Sequence, residues 1–589
     1  MMRKRYLILA VWLIVAGLAW TPLLTSGQTR IAVISDPHVI SEELAVNSET
    51  WETMVNGSRK LLDYSKEVFD VLMMKFTSEK PDILLISGDL TEDGGEASHN
   101  YVAAELAKIE AVGVKVYVIP GNHDIGTHLS ASAFAEKYRA FGYNGESVLD
   151  ENSLSYACEP VPGLILIGID SHSGVLAEGT LSWVCTQAEK ARQAGKQVIA
   201  MMHHPLFPHI TGGEMFIDTY AVADYENVRN SLANAGIKVI LTGHFHTSDI
   251  AKDWNADLSN EIYDINTGST ISYPCDYREL TLNEGMTQLA VRTYSVTELE
   301  RVENFSEVSK NRLQTSIKNI VQENIGNETL ALAAAKAFII HAEGDENQSE
   351  VAADILAMAK IVIVFKPEYS IMENSLNSIF TDTSNYNDTD RANQTPDRTL
   401  DIDLPDLRES VTLAVDGWAS FSSARNLTLP EDGLKGYIVT AVSPTSATLQ
   451  EVTQVPANTG VLLQGESGAT YRLANATEAL SALTDNLLLP ALKETEAPAN
   501  AFVLACKNDV TGLYPVQQGI VIPAQKAYLV VAGGGSARMI SIVTNDDTTG
   551  ITTLSEDTAP AAVYTLQGVR IAHPQKGVYI KNGKLFIAK

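Results

Sequence analysis

Cysteine is nearly absent: the 589 residues hold four, Cys158, Cys185, Cys275 and Cys506. Their number and scatter exclude a disulfide framework and a thiolate zinc knot, leaving open an isolated bridge or a buried free thiol. Positive charge is also scarce, with 43 Lys and Arg against 72 Asp and Glu, a net charge of −29 and no long basic run. Such a chain repels a phosphate backbone, which argues against a nucleic acid duplex as partner. Long apolar runs are missing with one exception. Arg3-Lys4-Arg5 precedes an apolar stretch from Tyr6 to Trp20, then small and polar residues to Gly27. That is the outline of a signal peptide over 1–27, with an uncleaved anchor as the rival reading. Either way the rest is expected outside the cytoplasm, whether periplasmic, on the cell surface or secreted. At 45% hydrophobic and 20% charged the composition is globular, and the length calls for more than one core.

What is present is histidine in blocks. Ten of the twelve lie at or before His246, most beside an aspartate or another histidine after an apolar run. The blocks are Asp36-Pro37-His38, Gly88-Asp89-Leu90, Gly121-Asn122-His123-Asp124, His203-His204-Pro205 and Gly243-His244-Phe245-His246. Short apolar runs at 31–34, 83–86, 114–119, 164–169, 198–202 and 237–241 read as buried strands, and 59–76 and 99–112 as amphipathic helices. This alternation makes the class α/β and puts the blocks at carboxyl ends of strands, where such sheets build sites. On an extended segment, residues two apart share a face, so Asp36 with His38, and His244 with His246, are expected to grip one cation. Carboxylate oxygen and imidazole nitrogen without thiolate suit Fe, Mn or Zn. Asp89 has two oxygens and can bridge two ions, and Asn122 adds a neutral oxygen.

Taken in order, the five blocks resemble the calcineurin-like metallophosphoesterase superfamily over roughly residues 30–280. The resemblance implies a four-layer β-sandwich flanked by helices, with mixed strand order. Carried over residue by residue, it places Asp36, His38 and His246 on one metal, Asn122, His203 and His244 on the other, and Asp89 between them. It favours His203 over His204. It also implies hydrolysis of a small phosphate ester by metal-hydroxide attack, with His123 as the catalytic residue that assists the leaving oxygen and Glu92 or Asp93 orienting it. Protein phosphatases of the superfamily carry Asp-Arg-Gly and Gly-Asn-His-Glu. Here the text is Asp89-Leu90-Thr91 and Gly121-Asn122-His123-Asp124, closer to the cyclic-nucleotide and small phosphodiester hydrolases. His99, His128, His172 and His209 are expected to be ordinary polar positions, His209 being the first candidate among them to face a substrate, and His341 and His573 are expected to be ordinary polar positions as well.

The expected organisation is a catalytic domain over 28–295, a helical extension over 296–380 with Leu299, Val302, Phe305 and Val308 on one face, and an Asp/Asn/Thr-rich linker over 381–405. An all-β domain over 406–545 and a three-stranded tail over 546–589 follow. Val455-Pro456-Ala457 to Leu463 echoes Ile522-Pro523-Ala524 to Val530, as two related halves or by chance. Gly417-Trp418-Ala419, Lys435-Gly436-Tyr437 and the ending Lys576-Gly577-Val578-Tyr579-Ile580 are similar to β-domains and sorting tails of exported Bacteroidetes-type enzymes. That likeness implies outer-membrane secretion machinery or cell-surface attachment as a partner. Two other readings stay open: a phosphomonoesterase acting on nucleotides or similar small esters, and a surface glycan- or partner-binding protein with a vestigial metal site.

Overall fold

Val198, Ala200 and Met202 lie in one apolar core while Ile199 and Met201, on the same strand, lie in another. The period of two makes a strand buried on both faces, and the sheet that holds it separates two layers. The computed structural model describes residues 27–41, 51, 55, 58–92, 94–126, 128–215, 217, 219–344, 351–364, 369–381, 396–430, 433–476, 480–531, 538–544, 563–565, 570–571, 577–581 and 584–588. The expected leader, but for Gly27, and most of the tail lie outside the described residues. Two compact units are present, Met1–Glu409 and Ser410–Lys589.

In the first unit the strands are β1 (Thr29–Ile34), β2 (Ile83–Ile86), β3 (Lys115–Val118), β4 (Val148–Leu149), β5 (Tyr156–Val161), β6 (Leu164–Ile169), β7 (Gln197–Met202), β8 (Val239–Thr242), β9 (Asp249–Trp254), β10 (Glu261–Asn266), β11 (Asp276–Leu282), β12 (Gln288–Ser295) and β13 (Thr399–Asp403). One sheet runs β13-β12-β11-β1-β2-β3 and the other β4-β5-β6-β7-β8-β10-β9. The first is parallel over β1-β2-β3 and antiparallel from β1 to β13, and the second has a parallel centre, β6-β7-β8-β10, with antiparallel edges. Helices α1 (Ser65–Glu79) and α2 (Glu96–Ala111) pack Phe69, Phe76 and Leu106 into the core that both sheets share. On the far side, α4 (Thr180–Gln193) and α5 (Tyr225–Asn234) cover the outer face of the second sheet through Val184, Ala188 and Leu232. The short α3 (Ala131–Lys137) lies between. Helix, sheet, sheet and helix are the four layers expected.

Three local expectations change. The first helix starts at Ser65 instead of 59, because residues 58–61 form a loop and Leu62–Tyr64 a single 3-10 turn. Leu299 and Val302 form an isolated bridge, and helix begins only at Phe305. Residues 399–403, expected within a linker, are an edge strand, since Ile402 buries on the first sheet and β13 pairs with β12; residues 382–395 lie outside the described residues. Beyond β12, α6 (Phe305–Ile325), α7 (Glu328–Glu343), α8 (Ala352–Ile363) and α9 (Ser370–Thr381) gather a helical core that includes Phe245. All four cysteines are unbridged, and Cys158 and Cys275 are buried thiols.

The second unit is all β, with β14 (Glu409–Thr412) beginning at its boundary, then β15 (Trp418–Ser423), β16 (Leu427–Thr428), β17 (Lys435–Val442), β18 (Ser446–Val452), β19 (Gln454–Val455), β20 (Thr459–Gln464), β21 (Thr470–Asn475), β22 (Leu488–Ala491), β23 (Thr495–Glu496), β24 (Ala501–Lys507), β25 (Val510–Pro515), β26 (Val521–Ile522), β27 (Lys526–Val530) and β28 (Ser541–Thr544). Its two halves are related. β15–β20, β16–β19, β17–β18 and β17–β20 pair antiparallel in one half; β22–β27, β23–β26, β24–β25 and β24–β27 do so in the other. Asn458 and Gln525, which close the echoed turns, share a left-handed φ of 60°. Chance does not reproduce four pairings and a turn.

Candidate metal centre

Five strand ends deliver the motif residues: β1 runs into Ser35 to His38, β2 into Ser87 to Asp89, β3 into the 121–124 turn, β7 into His203, and β8 into Gly243 to His246. Three strands belong to one sheet and two to the other, so the residues meet where both sheets end. Backbone bonds fix the convergence. Asp36 N–H donates to the Gly88 carbonyl at 3.1 Å, His38 N–H to that of Asp89 at 3.0 Å, and Gly243 N–H to that of His203 at 2.9 Å. The carboxylates complete the lattice, Asp89 Oδ1 accepting from His123 N–H at 2.8 Å and Asp36 Oδ2 from His244 N–H at 2.9 Å.

Strand alternation is not what brings Asp36 and His38 together. Both lie past the end of β1 in left-handed backbone, with φ of 50° and 41°, as do Asp89 at 47° and His244 and His246 at 69°. Each such residue is disfavoured by about 1–2 kcal/mol, and it persists only because the bonds above hold it. Tight turns rather than the pleat focus these side chains on one point. Two motif glycines make room: a Cβ on Gly121 would overlap Asp89 Oδ1, and one on Gly243 would overlap Ser35 Oγ.

The seven predicted ligands are all brought together. Asp36, His38, Asp89 and His246 each offer one donor atom within 4.8 Å of the others, and Asp89, His203 and His244 do the same. Asn122 joins the second group through Oδ1, 3.1 Å from His203 Nε2. His204 does not join; its Nδ1 is 3.4 Å from Ser171 Oγ and its ring packs 4.2 Å from that of His244.

The tautomers decide what this cluster wants. His203 Nδ1 donates to the Ser87 carbonyl at 2.9 Å, so in the neutral ring Nε2 carries the lone pair, facing Asn122 Oδ1 and, at 3.4 Å, Asp89 Oδ2. His38 Nδ1 is held by Glu92 Oε2 at 2.8 Å, which leaves its Nε2 toward Asp36 Oδ1 at 3.7 Å, Asp89 Oδ2 at 3.6 Å and His246 Nε2 at 3.0 Å. Asp36 Oδ1 is buried without a hydrogen bond. Buried acceptors that face one another call for positive charge between them, and of the seven residues Asn122 alone is exposed. The residues present therefore fit a cation at each group.

Electrostatics say the same. Burial pushes His244 down, and it takes His246 to about 3 against the pull of Asp36, so both rings keep their lone pairs. Burial opposes ionisation of Asp36 and Asp89, yet neighbouring histidines outweigh it and hold both well below the usual carboxylate range. His203 is the exception: burial lowers it, but Asp89 and then Asp36 outweigh burial and raise it to about 9. A cation held on Nε2 would take the place of that proton.

Glu92 does more than the orienting of His123 expected of it. Its side chain clamps His38 and pairs with Lys60, and its carbonyl accepts from His123 Nδ1 at 2.8 Å; Asp93 lies outside the described residues. The 58–61 loop was missed by sequence reasoning. Lys60 reaches Glu92, Leu61 N–H donates to Ile271 at 2.7 Å beside the Ser272 that holds His246 Nδ1, and between them Arg59 sits near Asp36 without a hydrogen bond or ion pair among the described residues. Nothing in that loop's residue pattern marks it. His209 does not face the substrate. It is 4% exposed, with Nδ1 3.1 Å from Asp249 and Nε2 3.0 Å from Asp264.

A buried carboxylate is thus shared by two imidazole-rich groups at the ends of two stacked sheets. Residues 29–248 match the calcineurin-like phosphoesterase family. Over 227 residues the chain is 28% identical to a probable cyclic nucleotide phosphodiesterase of Synechococcus sp. (strain WH7803), covering 37% of this chain and 74% of the relative. It is 30% identical over 182 residues to a probable glycerophosphodiester phosphodiesterase of Arcobacter nitrofigilis, covering 30% of this chain and 56% of that one. Against the 3',5'-cyclic adenosine monophosphate phosphodiesterase of Escherichia coli (strain K12), identity is 23% over 241 residues, 40% of this chain and 75% of the relative.

Proposed function

We propose that this chain is an exported, dinuclear-metal phosphoesterase that hydrolyses small phosphodiesters. The observation that carries the proposal is that Asp89 belongs to both donor groups. Asp36, His38 and His246 would hold one cation and Asn122, His203 and His244 the other, with Asp89 common to both. Ions drawn from Fe, Mn or Zn would supply Lewis acidity toward a phosphoryl oxygen and a water made acidic near neutral pH. The Ser87 carbonyl, Glu92 and Ser272 keep three imidazoles in the tautomer that leaves Nε2 free. Donation from His123 Nδ1 to the Glu92 carbonyl leaves Nε2 as the atom that exchanges a proton, which it gives to the leaving alkoxide as the P–O bond breaks. Arg59 adds positive charge to the approach of the phosphate.

The names of the similar proteins favour diesters of the cyclic-nucleotide or glycerophosphodiester kind. Export rests on the leader over 1–27, and the tail over 546–589 would engage outer-membrane secretion machinery or surface attachment. Among the described residues no helix is long and apolar enough to cross a membrane.

The test is metal analysis of the purified protein, then hydrolysis of bis(p-nitrophenyl) phosphate beside p-nitrophenyl phosphate, with Asp89→Ala in parallel. About two equivalents of metal and faster diester cleavage, both lost in the variant, are expected. Undiminished hydrolysis by metal-stripped Asp89→Ala overturns the mechanism, and faster monoester cleavage moves the substrate class to phosphomonoesters. Glycan binding by a chain without turnover would instead make the metal site vestigial. The mass of the mature protein reads processing at both ends.

A further inference from the structure

The duplication in the second unit is incomplete, and the incompleteness leaves a cavity. Pairing of Tyr437 with Leu462 in the first half matches that of Phe502 with Leu529 in the second, which fixes the correspondence. Ile438, Val455 and Val461 of the first half are buried in one core with Val411, Leu413 and Leu473, brought by β14, its following residue and β21. Their counterparts Val503, Ile522 and Tyr528 have no such cover among the described residues, because β16 pairs with both β19 and β21 whereas β23 pairs only with β26. The buried cluster around Ile522 is small, Ala491, Ala497, Ala501 and Ile522, and Leu489, Ile520 and Val521 stand 42%, 51% and 53% exposed. An apolar face of this kind marks a binding surface.

On this face lies a cavity of about 400 Å³, within the size range of small-molecule sites. Leu413, Val503, Leu504, Val516 and Ile522 form aliphatic walls, with Trp418 beside them. Two charged side chains reach it. Asp416 is already engaged, accepting from the Trp418 N–H at 3.3 Å and from the Thr511 hydroxyl. Lys526 lines the cavity, its carbonyl accepts from the Ser422 hydroxyl at 2.7 Å while its ammonium makes no hydrogen bond or ion pair among the described residues, and it stands where the first half has Thr459. A largely aliphatic volume with an ammonium at its wall, and its one carboxylate turned to the Trp418 N–H and the Thr511 hydroxyl, suits an apolar body with one negative end placed on Lys526.

We propose that this cavity binds a small aliphatic acid, its alkyl chain among Val503, Leu504 and Ile522 and its carboxylate on Lys526. The alkyl chain fills the role that Val411, Leu413 and Leu473 play in the first half.

The full-length protein is titrated calorimetrically with hexanoate, heptanoate and octanoate, then with octanol. One-to-one saturable binding is expected, tightening about fourfold per methylene. Lys526→Met should weaken octanoate about tenfold or more while octanol binds as before, which also shows that the variant is folded. Leu504→Trp, which fills the cavity, should abolish both. Absence of saturable octanoate binding, or equal binding by Lys526→Met, overturns the proposal. So does a dimer that Ile520→Asp dissolves while octanoate fails to bind, since a second copy would then cover the face.

Discussion

Replacing His209 by glutamine removes the only positive end of a buried three-residue bridge, and the effect should depend on pH with a definite sign. The ring is held between Asp249 and Asp264, stacked on Phe207 with centroids 5.7 Å apart. Burial lowers an imidazole, but the two aspartates outweigh it and raise His209 from 6.5 to about 10. Roughly 3.5 pH units at about 1.36 kcal/mol each come to ~5 kcal/mol. That agrees with the ~3–5 kcal/mol expected when one partner of a buried pair is removed. His341 Nε2, 3.9 Å from Asp249, does not take over, because burial lowers it against the pull of that carboxylate. A pKa raised on folding stabilises fully below pH 6.5 and fades as the pH climbs through about 10. Urea unfolding of wild type and His209→Gln at pH 6.5, 8 and 9.5 should therefore show a difference of ~3–5 kcal/mol that shrinks stepwise. Function should suffer with stability, since Asp264 also accepts from Leu206 N–H and the Thr242 hydroxyl, next to the His203 and His244 turns. A difference that stays constant from pH 6.5 to 9.5 would refute the charged bridge.

Glu92→Gln should weaken metal binding about 10–100-fold by loosening His38, read as metal content after graded chelation, with the melting temperature little changed. Gly121→Ala should drive a methyl group into Asp89 Oδ1 and destabilise the catalytic unit by about 1–3 kcal/mol; equal metal content and equal stability would contradict the close approach. Phe245→Ala should cost ~3–5 kcal/mol for a side chain 2% exposed and packed 4.4 Å from Tyr220, and calorimetry should place the loss in the catalytic unit.

The strands and the ligand set could be read in the sequence because both are written locally. A run such as Val198 to Met202 is apolar on both faces, and each histidine or aspartate of the site stands in a short motif beside a strand end. The left-handed turns that aim Asp36, His38 and His246 were not legible, since backbone strain there is imposed by bonds from distant segments. Arg59 and Lys60 were hidden for a related reason: they act from a loop whose position is set by Glu92 and Ile271, far away in the chain. The role of His209 was not legible, because a histidine near His203 looks the same in text whether it meets water or two buried aspartates. The repeat in the second unit was audible only at its proline-marked turns, since strand pairing and length persist while the side chains between them differ.

Phe245 gives the site a place in time. Its neighbours His244 and His246 end the ligand set, yet the core that seats it is built largely from α6 to α9, which follow much later in the chain. A growing polypeptide that has already presented every residue of the two donor groups still lacks the apolar core that seats Phe245. The turn that carries His244 and His246 is therefore seated late, once the chain has emerged past its helical segment.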